Sequence, residues 1–387
     1  MEIKQVYQLV NTATGEALGR EQVLAEDLSN VVDTGDEIFN ANAVDKYVKA
    51  LVNHIGRVIF VDRAYRGSAP SVLMDGWEFG SVLEKVQADM PLATENETWE
   101  LENGTSYDPN IFYAPKVSAK FFNKRVTFEV PMSFTELQVK QSFSNAQQLN
   151  GFVSMLYNAV DKAMTVKIDA LTMRTINNMV GETLYSEYEG GDYEASSGVR
   201  AVNLLNLYNK RYPEANLTAE DALTTPEFIR FASLTMKNYV KRLSRMSTLF
   251  NVGGKERFTP ADLLHVVLLA DFESAAEVYL YDAQGQFNVD NLRLPRAETV
   301  PYWQGSGDAY EFGDISKINI TTSDAHVVEA SGILGVMFDR DALGVTNLDR
   351  RVTSNYNPKA EFFTNWYKFD AGYFNDLNEN FVVFFVA

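Results

Sequence analysis

Residues 145–176, NAQQLNGFVSMLYNAVDKAMTVKIDALTMRTI, decide how the rest of the chain is read. Apolar side chains fall at Leu149, Phe152, Val153, Leu156, Val160, Ala163, Met164, Ile168, Leu171 and Ile176, spacings that place them on one helical face. Ser144 or Asn145 can cap the N-terminus, and Gln147 or Gln148 can close a capping box. About 35 helical residues make a rod of roughly 50 Å, well beyond the usual three or four turns. No heptad is sustained, so the pattern predicts a spine on which other elements pack rather than a coiled coil.

Upstream of the spine, residues 67–131 change character. Glycine, proline and asparagine punctuate short extended pieces, and residues 116–130 read as one long strand, with Val117, Ala119, Phe121, Val126, Phe128 and Val130 apolar. The alternation slips near Phe122-Asn123, which suits a bulge or a bend. An excursion of this length with little helix is a functional loop or an arm completed by another subunit; a plain β-domain is the other reading. Before it, Ile38, Ala41, Val44, Tyr47, Val48, Leu51, Val52 and Ile55 mark a helix that starts at Glu37 and stops at Gly56, with a strand over residues 58–64. Residues 1–36 show neither period, and the run from Asn30 to Asp36 has turn chemistry, so this stretch reads as an arm.

Downstream, residues 185–198 are acidic and contain glycine and serine, as a mobile surface loop does. Residues 200–345 then alternate helices and strands. Thr225-Pro226-Glu227 starts a helix, residues 263–270 form a buried strand, residues 272–281 are helical, and residues 327–338 form a buried stretch interrupted by Gly332 and Gly335. From Tyr356 to Phe385, eleven of thirty residues are aromatic, in strands separated by Asn-Asp-Leu-Asn-Glu-Asn at 375–380. Few basic residues interleave with them, so a strand core with a subunit contact is favoured over base stacking. No repeat of 20–50 residues is present.

Composition narrows the function. The chain has 387 residues, no cysteine and 34 basic against 52 acidic residues, a formal charge of −18. Disulfide scaffolds and thiolate metal sites are excluded, and phosphate backbones and anionic lipid are repelled. No signal peptide or membrane span is legible, so a cytoplasmic location is expected. Four Asn-x-Ser/Thr matches, at Asn96, Asn103, Asn216 and Asn319, carry no weight without a signal. The three histidines, His54, His265 and His326, have no ligand spacing. Gly253-Gly254-Lys255 lacks phosphate-loop spacing, and Gly305-Ser306-Gly307 lacks the third glycine of a dinucleotide fingerprint and precedes Asp308. Residues 282–290 lack calcium-loop register, and a carboxylate pair can be drawn anywhere in so acidic a chain. No catalytic, cofactor or metal site is read.

The order of elements (arm, helix, long β excursion, long helix, α/β body, aromatic return strands) resembles the major capsid proteins of tailed bacteriophages, above all those of small short-tailed phages of Gram-positive hosts. The stretches that carry the resemblance are residues 48–61 (VKALVNHIGRVIFV), residues 262–276 (DLLHVVLLADFESAA) and residues 355–387, with Asn357-Pro358, the aromatic strand 363–369 and the closing ENFVVF at 379–384. It implies an α+β fold divided into an N-terminal arm (1–36), a first part of a peripheral domain (37–66), an extended loop (67–131), the spine helix and following loop (132–199), an axial domain (200–345) and peripheral return strands (346–387). It implies, further, a non-enzymatic shell subunit without cofactor that assembles as hexamers and pentamers around double-stranded DNA. Trp77, Phe79, Val82 and Val86 are the candidate contacts between subunits, because the loop cannot bury them alone. The short arm implies a separate scaffolding protein or none, the separate one being expected together with a portal. Some relatives crosslink a loop lysine to a neighbour; Lys85, Lys116 and Lys120 match only by position, so that chemistry is not carried over. The alternatives are a bacterial nanocompartment shell of encapsulin type and, more remotely, an acidic cytoplasmic hydrolase.

Overall fold

The computed structural model describes residues 3–19, 24–25, 28–61, 72–74, 83–88, 90–91, 93, 95, 103–104, 110–114, 116–189, 193, 196–279, 294–303 and 317–387. In chain order these form α1 (Ile3–Leu18), α2 (Val31–Asn40), α3 (Val44–Val61), β1 (Leu73–Met74), β2 (Leu83–Ala88), β3 (Val117–Phe122), β4 (Arg125–Thr135), α4 (Glu136–Ser142) and α5 (Ala146–Tyr188). There follow β5 (Ala201–Asn203), α6 (Leu204–Arg211), α7 (Ala219–Ala222), α8 (Pro226–Leu243), β6 (Leu264–Leu269), α9 (Ala270–Tyr279) and β7 (Ala297–Val300). The chain closes with β8 (Ile318–Thr321), β9 (Val327–Ala330), β10 (Ile333–Asp339), β11 (Leu343–Asn357), β12 (Phe362–Asn375) and β13 (Phe381–Phe385). The mixed helix and sheet content agrees with the α+β reading.

The spine is α5. Asn145 caps it by accepting from the Gln148 amide at 2.8 Å, as the sequence pattern allowed. It runs 43 residues, beyond the expected end. Its first half buries one stripe, Leu149, Val153, Leu156, Val160 and Met164, whereas from Ala170 to Leu184 nearly every side chain is buried, including Thr172, Thr175, Asn177 and Thr183. Buried polar residues interrupt the apolar period there, which is why the sequence reading stopped short. The expected loop at 185–198 therefore begins in helix.

Two sheets lean on this spine. In the five-stranded sheet the order is β5-β13-β10-β6-β7. Every residue of β6, β10 and β13 is buried, so these strands read as continuous apolar runs. Helices α5 and α6 contact β13, while α9 contacts β6 and β7. In the four-stranded sheet the order is β1-β11-β12-β4, and β12 alternates half-buried and buried residues over most of its length. Its buried aromatics pair with those of β4, Phe363 against Phe134 and Phe369 against Phe128. Each such ring contributes on the order of 1.5–3 kcal/mol by burial.

Five expectations are corrected. The stretch 1–36, read as an arm without period, contains α1 and the start of α2; Val6, Leu9, Val10 and Ala13 form a short helical stripe buried against α3. The stripe spans only two turns, too little to stand out from its polar flanks. The single helix from Glu37 is two helices, broken where Asn42 adopts the left-handed conformation (φ 53°). The second of them runs through Gly56 to Val61, so residues 58–61 are helical rather than a strand, and residues 62–64 lie outside the described residues. The long strand 116–130 is two strands: at Asn123-Lys124 the chain leaves the β2-β3 ribbon and β4 joins β12. Finally, the return strands do not stay together, because β13 lies in the five-stranded sheet between β5 and β10.

Gly35, expected in a turn, sits inside α2, where a Cβ would lie 2.5 Å from Cβ of Phe143. Alanine in place of a helical glycine ordinarily stabilises by about 0.8–1 kcal/mol. Here Gly35→Ala is expected to destabilise by about 1–3 kcal/mol because the methyl overpacks the contact, as thermal or denaturant unfolding would show. A stabilised variant would refute the close approach.

Candidate assembly surface

Strands β2 and β3 form an antiparallel ribbon in which the two-residue period sorts side chains onto two faces. Leu83, Lys85 and Gln87 pair with Phe122, Lys120 and Ser118 on one face; Glu84, Val86 and Ala88 pair with Phe121, Ala119 and Val117 on the other.

The first face is fastened to the turn between β12 and β13. Lys85 Nζ donates to Asp376 Oδ2 at 2.9 Å and to Glu379 Oε1 at 2.8 Å. Lys120 Nζ donates to the other Asp376 oxygen at 2.9 Å. Gln87 Nε2 and Arg257 Nε both reach Glu379 Oε1, at 3.0 and 3.3 Å. Phe122 packs on Phe374 with ring centroids 5.2 Å apart. Lys85 and Lys120 stand directly opposite each other, a pairing that repels unless an anion lies between them. Asp376, whose side chain is fully buried, supplies one oxygen to each.

Burial alone would push the Asp376 carboxyl up; the hydrogen bonds and charge of Lys85, then Lys120 and the Asn378 amide, outweigh it and hold the carboxyl below the usual aspartate range. Burial likewise acts to lower the Lys85 ammonium, but Glu379 and Asp376 outweigh it and hold it above the usual lysine range. Both groups therefore remain charged at neutral pH.

The second face is open and, apart from exposed Glu84, apolar. Val86 is 62%, Val117 59% and Phe121 63% exposed, and the chain entering β3 adds exposed Phe112 and Tyr113. Of the four candidate contacts, Val86 lies on this face; Trp77, Phe79 and Val82 lie outside the described residues. The anchoring carboxylates were missed by the sequence reading. Their only trace there is the pair of acids in the 375–380 turn, some 290 residues from the lysine they hold.

The remaining motifs resolve into structure. His54 meets Glu16 at 3.0 Å, His265 stacks on Phe338 and His326 on Tyr185, in three separate places. Gly253 gives close access to the 376–380 turn, since a Cβ would lie 2.0 Å from Asn378 Oδ1, and Gly254 takes φ +62°. No group of three or more histidines, aspartates or glutamates among the described residues could hold a metal. No helix there is long and apolar enough to cross a membrane.

A spine helix bridging two sheets, with a long excursion carrying a two-faced ribbon, is the architecture of a capsid subunit. The capsid structure of Staphylococcus phage Andhra matches over 84% of this chain and 86% of that one, at 10% identity and a TM-score of 0.50, which shows the HK97-like fold of tailed-phage capsid proteins. The capsid of cyanophage P-SCSP1u matches over 84% and 90%, at 10% identity and a TM-score of 0.46. No curated protein matches the chain in sequence. The model of the Phi29-like phage major capsid protein family matches residues 10–385, and the chain belongs to that family. The resemblance read from the sequence is thereby borne out, and neither comparison supports the nanocompartment or hydrolase alternatives.

Asp376→Asn is expected to free the ribbon: it removes the anion shared by two lysines, a loss of about 3 kcal/mol for a broken buried pair. Amide exchange in β2 and β3 should accelerate while the five-stranded sheet stays protected; unchanged exchange would sink the anchor. Because the Asp376 pKa is lowered on folding, its contribution is present above the ordinary aspartate value of 3.8 and lost as pH falls through the lower folded value. The raised Lys85 pKa contributes below the ordinary value of 10.5 and its contribution is lost as pH rises through the folded value. Ribbon protection should thus be flat through neutral pH. A second expectation follows from the same pairing: with Lys85 and Lys120 engaged as ammonium ions within their own subunit, denaturing gels of assembled particles should show monomer alone, and a ladder of crosslinked bands would contradict it.

Proposed function

We propose that this chain is the structural subunit of an icosahedral or prolate shell, assembled from hexamers and pentamers, that encloses the double-stranded DNA genome of a tailed phage. The observation that carries the reading is the open apolar face of the β2-β3 ribbon. A ribbon anchored on one side and apolar on the other is made for a neighbour, and Val86, with Trp77, Phe79 and Val82 in the same excursion, supplies that contact. The formal charge of −18 supports the genome's side of the reading, since an acidic wall does not hold DNA that must slide along it during entry.

On this reading the chain performs no catalysis and needs no cofactor. A separate scaffolding protein and a portal assist assembly in the host cytoplasm, and the finished subunit resides in the virion. Residues 200–345 with β13 surround the capsomer axis, and the four-stranded sheet with α1 to α3 lies at its periphery.

Negative-stain microscopy with light-scattering mass tests this directly. The purified chain, alone or with its scaffold, is expected to give closed shells, tubes or hexagonal sheets, and particles from infected cells are expected to contain DNA. A monomer in both settings, or enzyme cargo in place of DNA, would overturn the reading.

A further inference from the structure

Residues 228–255 contain six lysines and arginines and no acidic residue, in a chain whose acids outnumber its bases 52 to 34. Most of this stretch is α8. One face of the helix, including Phe228, Ala232, Met236, Tyr239 and Leu243, is buried in the five-stranded unit. On the other face Arg230, Leu234 and Lys241 are exposed in line, and Arg245 follows just past the helix end. Among the described residues, Arg230, Lys241 and Arg245 have no carboxylate partner. The helix dipole favours cations in the last turn, which accounts for Lys241 and Arg242. It does not account for Arg230, near the opposite end, or for a run of 28 residues without one acid.

Large apolar side chains are also exposed on the helix and in the chain that follows it, Leu234 at 54% exposure and, in the loop beyond, Leu249 at 58% and Phe258 at 52%. Phosphate backbones are met by cations and polar hydrogen-bond donors, whereas cations mixed with exposed Leu, Met and Phe are the composition of a protein contact. A complementary surface exists on the same unit. Helix α9 exposes Asp271 and Glu277, neither of them paired among the described residues, beside Val278 at 57% exposure. Although α8 and α9 pack together within the subunit, no ion pair joins these groups among the described residues.

We propose that the basic face of α8 docks on the acidic face of α9 in a second copy of this chain. Arranged head to tail, the two faces give the kind of contact that forms the capsomer rings of the shell reading. Cation and carboxylate set its register, and Leu234 and Val278 exclude water from it. The inference rests on the shell reading and specifies a contact that reading leaves open, separate from the β2-β3 ribbon.

The test is charge reversal with exchange. K241E/R245E and D271K/E277K are each expected to keep a native circular-dichroism spectrum yet yield fewer closed shells by about tenfold or more, because each sets like charges face to face. The chain carrying all four substitutions is expected to regain shells. Reversal variants that assemble normally would overturn the contact and leave the shell reading intact; normal assembly with reduced DNA retention would assign the basic face to nucleic acid instead. Lost assembly with no recovery in the fourfold variant would overturn α9 as the complement. An unsubstituted chain that forms no shell, alone and with its scaffold, would defeat the shell reading, and this contact with it.

Discussion

A helix of 43 residues is about 65 Å long, and one sheet cannot cover its apolar surface. The subunit meets this constraint by laying different elements along successive turns. Near the start Phe152 meets Phe134 of β4 edge to face. Farther on, the Thr175 carbonyl accepts from Asn375 at the end of β12, Glu182 accepts from the Ser323 amide between β8 and β9, and Tyr188 in the last turn meets Phe385 of β13. The four-stranded sheet is thus tied to the spine from Phe152 as far as Thr175 and the five-stranded sheet to its last turn. The relation between the sheets is set by a rigid element rather than by a linker, as a shell wall requires of each of its tiles.

Against that rigid frame the excursion is held by charge. An apolar anchor would have been at least as stable, since buried ion pairs often gain little over well-packed hydrophobic residues. The charged anchor differs in specificity. Opposed Lys85 and Lys120 repel, so the ribbon is favourable in this register only where Asp376 lies between them, and a slip of one strand by one residue would put the two lysines on opposite faces, where Asp376 holds only one of them. That slip would also part Val86 from Val117 and Phe121, bringing one strand's apolar residues to the anchored face. The pairing that fastens one face therefore fixes which residues the other face presents.

The sequence disclosed the elements whose periodicity is local and apolar. The cap at Asn145 and the first half of α5, the helix from Pro226 and the buried strand 264–269 were all legible for that reason. Where polar residues are buried, as at Thr172, Asn177 and Thr183, the period fades and the helix end was lost. Where one residue changes the backbone, as Asn42 does, one apolar stripe became two helices. The assembly surface was half legible. Val86 could be named because apolar residues in a polar-punctuated excursion imply a missing cover, but Asp376 and Glu379 could not, because an ion pair between distant segments leaves no periodic mark. The acids of the 375–380 turn look in sequence like any solvated turn.

Net charge and apolar surface act over different ranges, and the difference bears on what a shell protein must do. Subunits carrying −18 repel one another, but physiological salt screens that repulsion beyond about 8 Å. Apolar contact acts below that distance and is not weakened by salt, so an acidic subunit can associate through a few uncharged faces while remaining soluble elsewhere. Several of its cations are spent within the subunit, Lys85 and Lys120 on Asp376, Arg200 on Glu187 and Arg351 on Asp370, which leaves the solvent-facing excess acidic. In the proposed shell the same excess faces the genome, which brings one phosphate charge for about every 1.7 Å of duplex. Adhesion through the ribbon's apolar face and indifference to DNA then require no compromise, because the first depends on buried apolar area and the second on the sign of the field at the wall.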